Sequence, residues 1–115
     1  MTDGGRWDRL AADLTAAGLD ATIDAKTYQE SYRGRVVRGV SRSITIQVPG
    51  KGLVTVSDKY WVKNLDVWLG WTVCAEDAEG ITLGRPSWAS KKRSETVTAV
   101  REALAKLAAC TAGLR

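Results

Sequence analysis

The feature that most constrains the fold is an alternation of apolar and polar residues next to a short, glycine-containing loop. Between residues 44 and 48 every second residue is apolar and β-branched, which is the pattern of a strand with one buried face. The loop at 50–52 fits a three-residue hairpin with Gly52 in the left-handed conformation. In this register Ile46 lies opposite Val56, so both apolar sets share one face of an antiparallel pair.

A later strand pattern separates two groups of side chains. Between residues 67 and 75 one face carries Val67, Leu69, Trp71, Val73 and Ala75. The other face carries Trp68, Gly70, Thr72 and Cys74. Because strand side chains alternate between faces, we expect Trp71 in the core and Trp68, with Thr72, on an uncovered face. A second three-residue loop at 78–80 then returns the chain into Ile81 and Leu83.

Both ends of the chain carry helical patterns. The first runs from Trp7 and stops at Gly18, a residue that favours a left-handed helix end. The last places one apolar stripe on Val97, Val100, Ala103, Leu104, Leu107 and Ala108. Of the segments between, 36–48 reads as a strand with a bulge at Gly39, and 26–35 as either a loop or a short helix. The sequence predicts an α+β fold, with an antiparallel sheet of four to five strands and both helices on one face.

Length and composition limit the function. A chain of 115 residues is expected to form a single domain, residues 1–115. It lacks a secretory signal pattern and any apolar run long enough for a membrane, so we expect a cytoplasmic protein. It has no histidine and only two cysteines, Cys74 and Cys110, which we interpret as reduced, packed thiols. These counts argue against a metal site, a cofactor and histidine-based catalysis, and they favour a non-enzymatic role.

Positive charge is concentrated in two segments. Residues 31–63 contain seven Lys or Arg against one acid, and residues 85–93 contain four with no acid. Basic residues with an interleaved aromatic can grip phosphates and stack on bases. The candidate nucleic-acid-binding residues are therefore Arg33, Arg35, Arg38, Arg42, Arg85, Trp88, Lys91, Lys92 and Arg93. For Trp88 the alternative is an anchor that holds a loop over the core.

The second basic segment raises a question about helix polarity. Cations are unfavourable at a helix N-terminus, yet Lys91, Lys92 and Arg93 precede the last helical pattern. If Ser94 is the N-cap, these cations lie in the preceding loop. If Ser90 is the N-cap, they form the first helical turn, and a bound phosphate would offset their repulsion. Local sequence favours Ser94.

Two resemblances bear on function. The element order, with Ser90-Lys91-Lys92 opening the second helix, resembles the double-stranded-RNA-binding domain, in which lysines at that position contact phosphates. Glu95 departs from that family, which has a further lysine there. The stretches DKYWVKNLDVWLGW and KKRSETVTAVREAL, within residues 44–108, are similar to small uncharacterised proteins of actinobacterial phages and prophages. That similarity implies a viral or mobile-element origin.

These patterns support two hypotheses of different kinds. The first is an accessory protein that binds nucleic acid through the basic residues named above. The second is a protein-binding module, or a homodimer, that uses the uncovered sheet face around Trp68 and Thr72 to bind a host protein or a second copy.

Overall fold

The computed structural model describes residues 3–61, 63–83 and 89–109. Its elements, in chain order, are α1 (Asp3–Ala16), β1 (Thr22–Tyr32), β2 (Arg35–Val48), β3 (Gly52–Trp61), β4 (Asn64–Asp77) and α2 (Arg93–Ala109). The strands form one antiparallel sheet in the order β1-β2-β3-β4, and both helices pack on it. The predicted α+β class is confirmed. Neither described helix is long and apolar enough to cross a lipid bilayer.

The core lies between the helices and one face of the sheet. Its buried apolar side chains are Trp7, Leu10, Leu14, Ile44, Ile46, Val54, Val56, Trp71, Val73, Ala75, Val100 and Leu107. The rings of Trp7 and Trp71 meet edge to face with centroids 6.3 Å apart, which joins α1 directly to β4. Each large side chain buried here stabilises the fold by about 1.5–3 kcal/mol relative to its exposed state.

The pairing register of β2 and β3 differs by two residues from the predicted one, because the loop is 49–51 and not 50–52. Ile46 pairs with Val54, not with the predicted Val56. The reason is the Pro49-Gly50 pair, in which Gly50 has a φ of 75°. Proline and glycine suit the two central positions of a type II turn, so Pro49 belongs to the turn and not to the strand. A shift of two residues preserves the faces, and the apolar residues of both strands still point into the core.

The hairpin of β1 and β2 is longer and more regular than predicted. Residues 26–35, expected as a loop or a short helix, complete β1, the turn and the start of β2. The β1–β2 register runs without a shift past Gly39, so the predicted bulge there is wrong. Threonine and tyrosine in 26–32 are residues that favour β-strands. Pairing with β2 also gives hydrogen-bond partners to backbone N–H and C=O groups that a short, isolated helix would leave without them.

A bulge in β4 overturns the placement of Trp68. Lys59 pairs with Gly70 but Tyr60 pairs with Trp68, so Leu69 is left without a partner on β3. The extra residue reverses the alternation and turns Trp68 to the helix-covered side. There its ring lies edge to face with that of Trp71, at a centroid distance of 4.9 Å. The prediction that these two tryptophans lie on opposite faces is wrong.

An aspartate on the covered face fixes the tryptophans. The carboxylate of Asp58 accepts one hydrogen bond from Nε1 of Trp7 at 3.1 Å and one from Nε1 of Trp68 at 2.9 Å. The guanidinium of Arg6 stacks over the Trp68 ring at 3.7 Å from its centroid. Since Arg6 and Trp7 belong to α1, this network holds the first helix on β3 and β4.

The chain returns along the outer edge of β4 after the sheet is complete. The predicted loop at 78–80 is confirmed, and its glycine has a φ of 83°. The backbone N–H of Leu83 then donates to the carbonyl of Ala75 at 2.8 Å. Further on, Ser90 and Trp71 exchange two backbone hydrogen bonds of 2.8 and 3.0 Å. This return covers the β4 edge at both places and delivers the chain to α2.

Candidate nucleic-acid interface

Part of the β1–β2 hairpin extends beyond the rest of the sheet. Along the described strands, β2 and β3 pair only as far as Ser43 and Ser57, whereas β1 and β2 continue to the turn. Residues 25–42 therefore form a two-stranded ribbon, here named the arm, roughly 25–30 Å long at about 3.3 Å per residue. The radius of gyration of 15.2 Å exceeds the roughly 13 Å of a compact domain of this length. The arm projects from the body.

The net charge of the arm is as large as that of the whole chain. The arm contains Lys26, Arg33, Arg35, Arg38 and Arg42 against a single acid, Glu30. Its formal charge of +4 equals that of the whole chain, so the remaining residues sum to zero. The exposed cations of the arm are Lys26, Arg33 and Arg35, and Arg42 is partly buried. The backbone of Arg38 pairs with that of Gln29 on β1. Like charges on one ribbon repel one another, and an anionic partner would relieve that repulsion.

The tip of the arm carries an arginine in an unfavourable conformation. Arg33 and Gly34 form the two-residue turn and both have positive φ, 50° and 75°. Turns of this kind favour Asn or Asp before Gly, because a larger L side chain in the left-handed region costs about 1–2 kcal/mol. The backbone conformation of the turn therefore does not favour Arg33 over Asn or Asp.

Two valines are exposed on the arm. Val36 and Val40 are 60% and 44% exposed, although they lie on the same face of β2 as Ile44, which is fully buried. The difference arises because the helices cover the sheet only as far as the base of the arm. The apolar pattern of β2 thus continues beyond the core it helps to form.

The second basic segment leads into α2. The helix begins at Arg93, so Ser94 is its second residue and the predicted Ser94 N-cap is wrong. The hydroxyl of Ser90 instead accepts a hydrogen bond from the backbone N–H of Lys92 at 3.1 Å and donates one to the carboxylate of Glu95 at 2.8 Å. Ser90 can do this because its backbone is already held on the edge of β4. Of the three cations, only Arg93 is helical.

The cation at the helix start has an anionic partner within the protein. Nε of Arg93 lies 3.2 Å from a carboxylate oxygen of Asp13 on α1. This ion pair offsets the unfavourable position of Arg93 at the positive end of the helix. Lys91 and Lys92 are exposed in the segment before the helix.

The arm and residues 89–93, the described part of the second basic segment, lie at opposite edges of the sheet. The arm belongs to β1 and β2, at one edge of the sheet, and the segment before α2 is bonded to β4, at the other. Its attachment there is close: a Cβ on Gly70 would collide with the backbone of Ser90. The remaining candidates, Arg85 and Trp88, lie outside the described residues.

The uncovered face of the sheet is mainly polar. It presents Ser43, Thr45, Gln47, Leu53, Thr55, Ser57, Thr72 and Cys74. The hydroxyl of Thr72 donates to the carbonyl of Ser57 at 3.4 Å, and Cys74 is a free, partly exposed thiol; Cys110 lies outside the described residues. Trp68, the expected centre of a protein-binding face, is on the other side. Among the side chains named for this face there is therefore no aromatic anchor for a protein partner.

Other kinds of site find little support. Within the described ranges no group of three potential metal-ligating His, Cys, Asp or Glu side chains occurs. A pocket of about 220 Å³ lies between Trp71, Ser90, Glu95 and the first turns of α2. It is smaller than the roughly 300–1,000 Å³ of typical small-molecule sites. A second pocket of about 350 Å³ lies along α2 against Ser94, Thr98 and Glu102, and it is more open to solvent than the first. Comparisons with protein-family models, with curated proteins and with solved structures found no match.

Sequence reasoning found the arm's arginines but not the arm itself. The strand pattern of 36–48 gave no sign that its first half lacks a third strand beside it. A usable signal was present in 26–32, where β-forming Thr27, Tyr28 and Tyr32 precede a glycine turn. Two strand segments of equal length, both rich in polar and charged residues, flank Arg33-Gly34 and indicate a hairpin that needs no buried face.

Proposed function

We propose that this protein is a non-enzymatic nucleic-acid-binding protein whose main contact surface is the arm. The observation that carries the proposal is the charge distribution, in which a projecting ribbon has the full net charge of the chain and the body is neutral. Contacts between Lys or Arg and phosphates release counterions and supply most of the nonspecific affinity of such proteins. The arm offers four cations with described side chains for this purpose.

The shape of the arm agrees with this function. A two-stranded ribbon fits the major groove of B-form DNA, which is about 12 Å wide. Lys91 and Lys92, at the opposite edge of the sheet, are secondary contacts in this proposal. A phage or mobile-element origin stays a prediction from sequence resemblance.

Fluorescence anisotropy with a labelled DNA duplex, at several salt concentrations between about 50 and 200 mM, tests the proposal. We expect Lys26→Gln/Arg35→Gln to weaken binding and to lower the slope of log affinity against log salt by about 0.9 for each phosphate that is no longer neutralised. The matched control is Arg101→Gln/Lys106→Gln, which removes the same charge from the exposed side of α2. The control should leave the slope nearly unchanged.

A third variant separates the two basic segments. Lys91→Gln/Lys92→Gln should lower the slope less than the arm variant does. If the Lys91→Gln/Lys92→Gln variant lowers the slope as much as the arm variant or more, the main contact surface lies at the β4 edge and not on the arm. The proposal fails if the unmodified protein shows no salt-dependent binding tighter than about 10⁻⁴ M, the weak end of nonspecific DNA binding.

A further inference from the structure

The face of the arm that continues the helix-covered side of the sheet has a distinctive composition. Strand alternation from Ile44, and the unshifted pairing of β1 with β2, assign residues to this face. Those with described side chains are Ala25, Thr27, Gln29, Ser31, Val36, Val40 and Arg42. All except Arg42 are exposed. The surface is therefore an open ribbon of short side chains that carry methyl, hydroxyl and amide groups.

These groups match the edges of base pairs. In the major groove, glutamine can bond adenine through two hydrogen bonds, serine and threonine hydroxyls can donate or accept, and methyl groups contact the thymine methyl. Gln29, Thr27 and Ser31 supply the polar groups, while Val36 and Val40 supply the methyl groups. In this proposal Lys and Arg supply the main phosphate contacts, and the exposed hydroxyl, amide and methyl groups of this face can meet base edges.

Charge determines what can cover this face. A second copy of the arm would bring +4 against +4, and an apolar protein surface would leave those cations near a low-dielectric partner. A polyanion has the complementary charge. Lys26 and Arg35, which lie on the other face near the two ends of the arm, have stems long enough to pass around the strand edges to phosphates.

We infer that the helix-side face of the arm enters the major groove of duplex DNA and reads base edges, which makes binding dependent on sequence. The inference rests on the proposed function and narrows its ligand to B-form duplexes. The major groove of an RNA duplex is too deep and narrow for side chains to read, and a single strand has no groove. Apolar and amide contacts are therefore expected with duplex DNA alone.

The first experiment is selection from a pool of randomised DNA duplexes with the full-length protein. We expect enrichment of a common motif. The enriched duplex should bind more tightly than a scrambled duplex of the same composition, the corresponding RNA duplex and either single strand. Equal affinity for the enriched and scrambled duplexes would overturn the inference while leaving the proposed function intact. Absence of salt-dependent binding to every probe would overturn both.

The second experiment uses variants on the two faces of the arm. Gln29→Ala should weaken binding to the enriched duplex by roughly 5- to 150-fold, the discrimination supplied by one pairing of a side chain with a base, and change binding to the scrambled duplex little. Thr27→Ala should act in the same direction. The matched control, Ser41→Ala, removes an exposed hydroxyl from the opposite face. All three variants should keep the salt slope, because none of them removes a cation.

Two results would contradict this face assignment. If Ser41→Ala has the same effect on the enriched duplex as Thr27→Ala and Gln29→Ala, the reading face is wrong. If the single strand binds more tightly than the duplex, groove binding is wrong. Circular dichroism and chemical denaturation of each variant will show that weaker binding does not come from unfolding, which is not expected at exposed positions.

Discussion

The two halves of β2 belong to one hairpin and one continuous register, but their surroundings differ. In the body half Ile44 and Ile46 are buried beneath α1 and α2, while in the arm half Val36 and Val40 are largely exposed. Charge follows the same division, because the arm carries the net charge and the body is neutral. The comparison teaches that the arm is longer than folding requires. A strand that needed only to complete the core could have ended near Arg42.

The largest expected effect tests whether the two halves differ in packing. We expect Ile44→Ala to destabilise the protein by about 2–5 kcal/mol, since it leaves a cavity in the core. Val40→Ala, on the same face, should cost no more than about 1 kcal/mol. Urea denaturation followed by tryptophan fluorescence measures both values. Similar losses at the two positions would mean that the arm is packed, and the comparison would fail.

A smaller effect is expected from the polar network of the body. Asp58→Asn keeps one acceptor for two indole N–H groups and removes the charge that strengthens both bonds. We expect a decrease of about 1.5–3 kcal/mol in the free energy of unfolding, the range for hydrogen bonds to charged groups. Asp20→Asn, at an exposed position before β1, is the control and should have little effect. If both variants are equally stable, the Asp58 network does not hold α1 on the sheet.

The smallest effect sharpens the contrast between stability and binding at the arm tip. Arg33→Asn places a residue that tolerates positive φ in the turn and should stabilise the hairpin by about 1 kcal/mol. Hydrogen exchange of the arm amides would report this as slower exchange, while anisotropy should show weaker DNA binding. Arg35→Asn removes the same charge from a strand position, so it should weaken binding without slowing exchange. Faster exchange in Arg33→Asn would show that Arg33 stabilises the turn.

Local chemistry predicted much of this fold. The stop at Gly18, which has a φ of 85°, the glycine of the 78–80 loop and the faces of β2 and β3 all depend on residues close in sequence. Most of the α2 stripe was also predictable, because Val100 and Leu107 repeat at helical spacing and are buried. Ala108 is exposed, however, and Thr96, which the stripe did not include, is buried. In each case the determinants are the permitted backbone angles of glycine or the periodicity of one element.

The errors concern partners that are distant in sequence. Trp68 was assigned to the wrong face because the bulge at Leu69 is favoured by contacts with Asp58 and Trp71, and strand alternation alone does not include them. Neither serine is the N-cap in the predicted way, because α2 begins at Arg93, and Ser90, whose backbone is bonded to Trp71, lies three residues before it. Likewise, the arginines of the arm were evident from the sequence, but their separation from Lys91 and Lys92 depends on strand order. Such features follow from tertiary packing.

The outer edges of the sheet have a consequence for self-association. The return of the chain at Leu83 and Ser90 occupies the β4 edge, whereas no described strand pairs with the outer edge of β1, which is 11 residues long. The exposed charged side chains of Asp24 and Lys26 disfavour nonspecific pairing of this edge with a strand of another chain. If pairing nevertheless occurred, two copies joined through β1 would present β4 edges that are occupied at Trp71 and Ala75 by the returning chain. A further copy could not pair with β4 at these two places, which hinders continued growth of the sheet beyond two copies.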